Sequence, residues 1–362
     1  MTKITSILLC GAENIIALPI IRSLGVVLPN AKIHTFSPLE RKKSISERSR
    51  YIASRHYFNS WNDDFPDKLK AKIQETNADI LLPVGDNSVR NLASLKEELK
   101  KIVHLPPLPE LNIYDQLERK DLMAELLTAY NFPNPETWHL ATTDPKEIDA
   151  DFFPLLLKPI IGSSGDGIIK INSSEALIEK TADIDTDKYI LQELIPGQDV
   201  GCSVLAVDGH IKAYTIQKVL GHKEYGVATA IKFIDNDAVF EQTRRLIEKT
   251  GYSGVAHLDY RIDKRDNQPK LVDFNARFWF SVLGSKAAGV DFILLCFLSA
   301  FDVPFNRPEY KKIIYFAGRD SLRYYFKKIF SPTKLYQNNS SVYTDLWDRI
   351  GDPMPELARY IK

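Results

Sequence analysis

Residues 254–281 read GVAHLDYRIDKRDNQPKLVDFNARFWFS, and the alternation in this stretch decides the fold. Two short runs flank a polar middle, Lys264 to Lys270, in which Asp266, Asn267 and Pro269 are turn residues. That is a β-hairpin pattern. Strand side chains alternate faces with period two. In the first run Ala256, Leu258, Tyr260 and Ile262 share one face, and His257, Asp259, Arg261 and Asp263 share the other. In the second run Val272, Phe274 and Ala276 form the apolar face, and Asp273, Asn275 and Arg277 point away from it. With both apolar faces on one core, Asp259, Asp273, Asn275 and Arg277 converge on the far side of the sheet.

Two carboxylates, an amide oxygen and a guanidinium make a specific set. Hard oxygen donors suit Mg²⁺, which also takes phosphate oxygens and water. A nearby Arg neutralises phosphoryl oxygens. A solvated hairpin face would alternate in the same way, so the remainder of the chain has to decide.

The 362 residues suffice for two or three domains and an ample core. Lys+Arg and Asp+Glu balance at 47 each, so no charge excess points to nucleic acid or a membrane surface. Cys10, Cys202 and Cys296 lie far apart without metal-ligand or disulfide spacing, which fits a reduced cytoplasm. Residues 6–10 are too short for a signal-peptide core, and the apolar run near 292–301 is about half a membrane span.

Towards the N-terminus, strands at 4–10, 31–37 and 79–84 alternate with helices at 14–24, 64–76 and 86–101. Gly25 is the expected stop of the first helix. The basic stretch from Arg41 to Arg55 reads as helix and loop facing water. Strand–helix alternation implies an open parallel sheet over residues 1–110. Gly11-Ala12-Glu13 is no dinucleotide fingerprint. Asp86, just after a strand, is either a substrate contact or an ordinary helix-terminal residue.

The Pro-rich piece 105–109 reads as a linker, followed by a helix over 112–130 that carries Lys120. An apolar strand, 152–159, ends in Lys158. The loop Gly162-Ser163-Ser164-Gly165-Asp166-Gly167 lies between two strands, where its glycines let backbone amides approach phosphates. A bare hairpin tip would read the same way. Strand 189–195, a hairpin of 200–207 and 211–219, strand 228–234 and helix 236–250 lead into the opening hairpin. Helices at 284–301 and 319–329 follow, then a loosely packed tail. The order of glycine loop, Lys232, Asp259 and Asp273 superficially matches a protein kinase. Only 27 residues separate Lys232 from Asp259, too few for the intervening kinase elements.

Together these pieces resemble the ATP-grasp superfamily of carboxylate–amine ligases, from the N-terminal α/β region to about residue 300. The resemblance implies a mixed α/β and α+β architecture, with two α+β lobes clamping ATP. An N-terminal open parallel-sheet domain would span 1–110, and a small lobe with linker helix and glycine lid 111–198. A large lobe with the metal site would span 199–330, and a C-terminal tail 331–362.

By the same resemblance Lys120 and Lys158 reach the nucleotide phosphates. Gly162, Ser163, Ser164, Gly165 and Gly167 form the phosphate lid. Gln192, Glu193, Leu194 and Ile195 read adenine, largely through backbone groups, and Asp199 holds the ribose. Asp259, Asp273 and Asn275 are the metal ligands, and Arg277, Lys158 and Asp273 the catalytic candidates. ATP and two Mg²⁺ ions, with Mn²⁺ as a substitute, are the implied cofactors. A small-molecule carboxylate and an amine are the implied substrates, and a homodimer the implied assembly.

Two positions depart from the family. Asp273 stands where Glu is usual, and Phe278-Trp279-Phe280 replaces a glycine, which points to a bulky aromatic acceptor pocket. Arg244, His257 and Arg261 are further candidates for a substrate carboxylate, the last two on the face of the site. The expected reaction is phosphorylation of a carboxylate to an acyl-phosphate and its capture by an amine. A phosphotransferase with a stable phosphorylated product, or a non-catalytic nucleotide-binding regulator, would use the same nucleotide residues.

Overall fold

The structure is a computed structural model. It describes residues 4–38, 44–62, 64–144, 146–162, 165–222, 226, 228–330 and 341–358.

The N-terminal region is built from β1 (Ser6–Cys10), α1 (Ala17–Val27), β2 (Lys32–Pro38), β3 (Ile52–Phe58), α2 (Phe65–Thr76), β4 (Ile80–Pro83) and α3 (Asp86–Leu99). Its four strands form a parallel sheet in the order β3-β2-β1-β4. Both faces of β1 are covered, Leu8 and Cys10 by one core and Ile7 and Leu9 by another, as in a central parallel strand. Three details differ from the sequence expectation. Helix α1 runs through Gly25, which is there because a Cβ would lie 2.2 Å from the Tyr51 ring. The stretch expected to be helix and loop contributes β3, an edge strand whose polar residues face partly outward. The residues from Arg41 to Lys43 within it lie outside the described residues.

A break at Arg119, with extended φ/ψ of −80°/120°, divides the expected linker helix into α4 (Leu111–Glu118) and α5 (Lys120–Ala129). The break sets Lys120 at a helix start. The small lobe carries a sheet ordered β5-β8-β6-β7, from β5 (Thr137–His139), β6 (Leu155–Pro159), β7 (Ile169–Ile171) and β8 (Tyr189–Glu193), with α6 (Ser174–Thr181) packed on it. Leu155, Leu157, Ile171, Leu177 and Leu191 form its own separate core.

The large lobe is organised on a seven-stranded sheet, ordered β13-β12-β9-β10-β11-β14-β15. Its elements are β9 (Gly197–Val207), β10 (His210–His222), β11 (Ala228–Phe233), α7 (Asp237–Thr250), β12 (Gly254–Asp263), β13 (Pro269–Asn275), α8 (Val282–Ala288), α9 (Phe292–Ala300), β14 (Ile314–Phe316), α10 (Arg319–Phe330), β15 (Val342–Thr344), α11 (Leu346–Gly351) and α12 (Met354–Leu357). The helix expected over 284–301 is two helices, bent by 91° at Gly289, whose φ of 114° ends the first. No single helix among the described residues is long and apolar enough to cross a membrane.

The N-terminal sheet and the large lobe share both main cores. One joins Leu8 and Phe36 to Val200 and Phe274, and the other joins Ile7 and Ile20 to Leu205 and Trp279. The small lobe keeps a separate core.

Residues 341–358 do not lie loose. Strand β15 pairs parallel with β14, and α11 leads to Asp352, which is fully buried. Arg22 Nη2 donates to the Asp352 carbonyl at 2.8 Å, and Ser49 Oγ and the Arg50 N–H donate to its carboxylate at 2.7 and 2.9 Å. The chain end thereby ties the large-lobe sheet to the N-terminal sheet. The rest of the expected tail, 331–340 and 359–362, lies outside the described residues.

Candidate active site

Strands β12 and β13 pair Asp259 with Asp273 and His257 with Asn275. A β-bulge follows, because Tyr260 pairs with Leu271 and Val272 is the extra residue. The expected face assignment is corrected here. Leu271, not Val272, enters the core with Phe274 and Ala276. Without the bulge, strict alternation would put Leu271 and Asp273 on the same side. With it, Leu271 stays in the core while Asp273 turns to the site.

Asp259, Asn275 and Arg277 meet as expected. The Asn275 amide donates to Asp259 Oδ2 at 3.0 Å and to the His257 carbonyl at 3.3 Å. Its oxygen accepts from Arg277 Nη2 at 2.8 Å. His257 shares a 2.8 Å hydrogen bond with Ser203, lies 3.4 Å from Asp259 and stacks on Trp279. Burial opposes charge on Asp259, yet His257, Arg277 and the Asn275 amide hold its carboxyl below the ordinary value.

The lysines arrive from the linker and the small lobe. Lys120 Nζ lies 3.1 Å from Asp273 Oδ1 and donates to the Gly162 carbonyl at 3.0 Å, joining the root of the glycine loop to the hairpin. Burial disfavours its charge, but Asp273, Glu118 and Asp86 outweigh that and raise it. Lys158 has no carboxylate partner among the described residues and donates to Gln192 Oε1 at 2.6 Å. Burial pushes it down to about 8, helped by Lys120 and Arg261.

The other predicted residues fall into two groups. Gly162, Gly165 and Gly167 flank the loop, and Ser163 and Ser164 lie outside the described residues. Gln192 belongs to the site through Lys158. The Glu193 side chain pairs with Arg265 at 2.5 Å and its N–H donates to Glu136, so this carboxylate joins the hairpin to the small lobe. Ile195 is a core side chain and Leu194 follows β8. Asp199 faces Arg261 across the β9–β12 pair at 3.2 Å. Arg244 lies on the exposed face of α7 with Glu241 and Glu248, away from the site.

The aromatic run is mostly core. Phe278 and Trp279 are buried, and Trp279 meets Phe292 edge-on at 4.9 Å. Only Phe280 is half-exposed, bordering a small cavity of about 40 Å³ with Ile15, Arg22 and Tyr315.

Sequence reasoning missed Glu118, the last residue of α4. Burial, then Asp86 and Asp273, pushes its carboxyl up to about 8. Asp86 is a site residue, with Oδ1 2.7 Å from Arg277 Nε.

No cluster of three His, Cys, Asp or Glu side chains suited to a metal occurs among the described residues. The donors are two carboxylates and an amide, all hard oxygens, a set that fits Mg²⁺ completed by phosphate oxygens.

A chain with buried cations and hard-oxygen donors between two antiparallel sheets has the build of an ATP-grasp protein, and residues 118–281 match the family model of the ATP-grasp domain. The chain matches that model over a little under half of its length. It is 24% identical to D-aspartate ligase of Enterococcus faecium (strain Aus0004), over 55% of this chain and 53% of that one. It is 25% identical to D-alanine–D-alanine ligase of Anaplasma marginale (strain Florida), over 34% of this chain and 40% of that one. The chain thus spans about half the length of the curated relatives it matches. The same fold occurs in L-amino acid ligase from Bacillus licheniformis, with TM-score 0.66, 17% identity, and 84% of this chain and 76% of that one covered. It occurs also in N5-carboxyaminoimidazole synthetase from Staphylococcus aureus complexed with ADP, with TM-score 0.70, 16% identity, and 94% and 92% covered.

Proposed function

We propose that the protein is an ATP-dependent ligase that joins a carboxylate to an amine, releasing ADP and phosphate. The observation that carries this reading is the meeting of Lys120, Lys158 and Arg277 with Asp259, Asp273 and Asn275 on one face of the hairpin. The relatives named as ligases point the same way.

Asp259, Asp273 and Asn275 would hold Mg²⁺, which would supply positive charge against the phosphate oxygens of ATP. Lys158, buried beside Gln192, binds phosphate oxygens. Lys120 ties the lid to the site through the Gly162 carbonyl. Arg277 neutralises charge as the phosphoryl group passes to the carboxylate, and its Asn275 and Asp86 contacts fix its plane. The amine then displaces phosphate from the acyl-phosphate, so no protein nucleophile is needed. Closure of the small lobe excludes water from that intermediate.

Two measurements test this. ADP release from Mg·ATP is followed against pooled carboxylic acids with and without pooled amines. ADP formed only with both, and a condensation product in the mass spectrum, is the expected result; a stable phosphorylated acceptor would replace the ligase by a phosphotransferase. The second measurement is ATP affinity against pH. Phosphate favours the charged form of Lys158, whose value without nucleotide is about 8. Affinity is therefore full below that pH and falls above it, by up to about tenfold per pH unit. Lys158→Met should bind weakly at every pH and lose the decline; an unchanged decline would assign it to another group.

A further inference from the structure

Strand β12 lies between β9 and β13, so each of its site residues has a cross-strand neighbour on either side. His257 stands between Ser203 of β9 and Asn275 of β13, and Asp259 stands between Gly201 and Asp273. The second row thus lacks a side chain where the first has a hydroxyl. The His257 ring leans into that gap. A Cβ built on Gly201 would lie 2.6 Å from His257 Cε1 and 2.8 Å from its Nε2, closer than a Cβ ordinarily packs. Trp279 stacks on the ring, with 5.6 Å between centroids and 20° between planes. The imidazole is therefore buried and held in one orientation.

Both of its nitrogens are engaged. Nδ1 shares a 2.8 Å hydrogen bond with the Ser203 hydroxyl, and Nε2 faces Asp259 Oδ1 at 3.4 Å. An ionised carboxylate only accepts, so the proton between His257 and Asp259 belongs to Nε2, and the Ser203 hydroxyl donates to Nδ1. One oxygen of Asp259 is met by His257, and the other by the Asn275 amide at 3.0 Å. The Asp259 side chain is otherwise 45% exposed. An open carboxylate rotates unless donors hold it, and two donors leave its remaining lone pairs for a ligand. Packing alone does not ask for this arrangement. A phenyl ring would stack on Trp279 equally well and would need no hydroxyl behind it.

We propose that His257 is a positioning residue, whose Nε2–H fixes the rotation of the Asp259 carboxylate for a divalent cation. Ser203 sets the tautomer of the ring, and Gly201 makes its room. The inference rests on the assignment of Asp259 to the metal in the proposed function, and it adds the three residues that hold that carboxylate in place.

The test uses the full chain with a non-hydrolysable ATP analogue and Mn²⁺, whose free concentration is read by electron paramagnetic resonance. His257→Phe keeps the stack on Trp279 and removes the donor. It should weaken Mn²⁺ binding about 10–100-fold, the usual effect of removing a group behind a metal ligand. His257→Gln, whose amide nitrogen reaches about as far as Nε2, should recover most of that loss. Gly201→Ala changes no metal-binding atom and should weaken Mn²⁺ by displacing the ring. All three variants should unfold cooperatively and bind the analogue without metal as the wild type does. In the metal-free wild-type protein, ¹⁵N shifts of the His257 ring should place a proton on Nε2. Wild-type Mn²⁺ affinity in His257→Phe, a glutamine variant no better than the phenylalanine variant, or a ring protonated on Nδ1 alone would each overturn the proposal. Asp259→Asn and Asp273→Ala separate it from the reading on which it rests. If both bind Mn²⁺ as the wild type does, the metal assignment fails and the positioning role falls with it. If both lose Mn²⁺ while His257→Phe does not, the metal site stands and only the role of His257 is removed.

Discussion

Replacing Asp273 with alanine is expected to lower ADP release by at least about 1,000-fold, some 4 kcal/mol in the transition state. Asp273 does two things at once. It offers a hard oxygen opposite Asp259, and it holds Lys120 at 3.1 Å. On the proposed function its removal would cost a metal ligand, and it would free Lys120 from its carboxylate partner. The fold should tolerate the change, because the side chain is a quarter exposed and is not part of the core. The expected pattern is a collapse of turnover with a cooperative unfolding transition retained, its melting temperature lowered by the loss of the Lys120 pair, and near-normal ATP binding without divalent metal. Wild-type turnover in this variant would mean that Asp273 holds no metal. A glutamate is one methylene longer but offers the same carboxylate, and Asp273→Glu should retain far more activity than the alanine variant.

Asp352→Ala should be the most damaging change away from the site, by about 3–5 kcal/mol. The Asp352 side chain has no exposure, and it accepts from Ser49 and from the Arg50 backbone while facing Arg22, itself almost wholly buried. Alanine would leave a buried guanidinium with only Glu356, 3.5 Å away, as counter-charge. Urea unfolding measures the loss. Replacing both partners by apolar residues, Arg22→Met with Asp352→Leu, should recover a large part of it, because an absent ion pair costs less than half of one. A single variant within about 1 kcal/mol of wild type would mean that the chain end does not hold the N-terminal sheet.

Much of this was legible in the sequence. Period-two alternation placed Asp259, Asn275 and Arg277 on one face, because strand geometry leaves little choice once a core is assumed. The same reasoning misplaced Val272, since a bulge adds a residue without any mark in composition. Strand β3 was missed for a related reason: it is a sheet edge, and Arg55 and His56 give it the polarity of a loop. Glu118 could not be picked out of Glu-Arg-Lys-Asp. Its burial follows from the break at Arg119 and from the packing of α4 near α3 and β13, contacts that join distant parts of the chain. Lys120 and Lys158 were singled out through motif order, which no periodicity supplies. Asp352 has its partner 330 residues away, beyond any local pattern.

That separation has a consequence on the ribosome. Arg22 is made early and buried in the first sheet, but its carboxylate emerges 330 residues later. At about 5–20 residues per second the interval is roughly 15–70 s. Throughout it the nascent N-terminal sheet holds a cation meant for a low-dielectric site with its counter-charge still unmade. The N-terminal sheet is therefore slow to reach full stability, and the vulnerable interval for chaperones and proteases closes only when the segment carrying Asp352 docks on it.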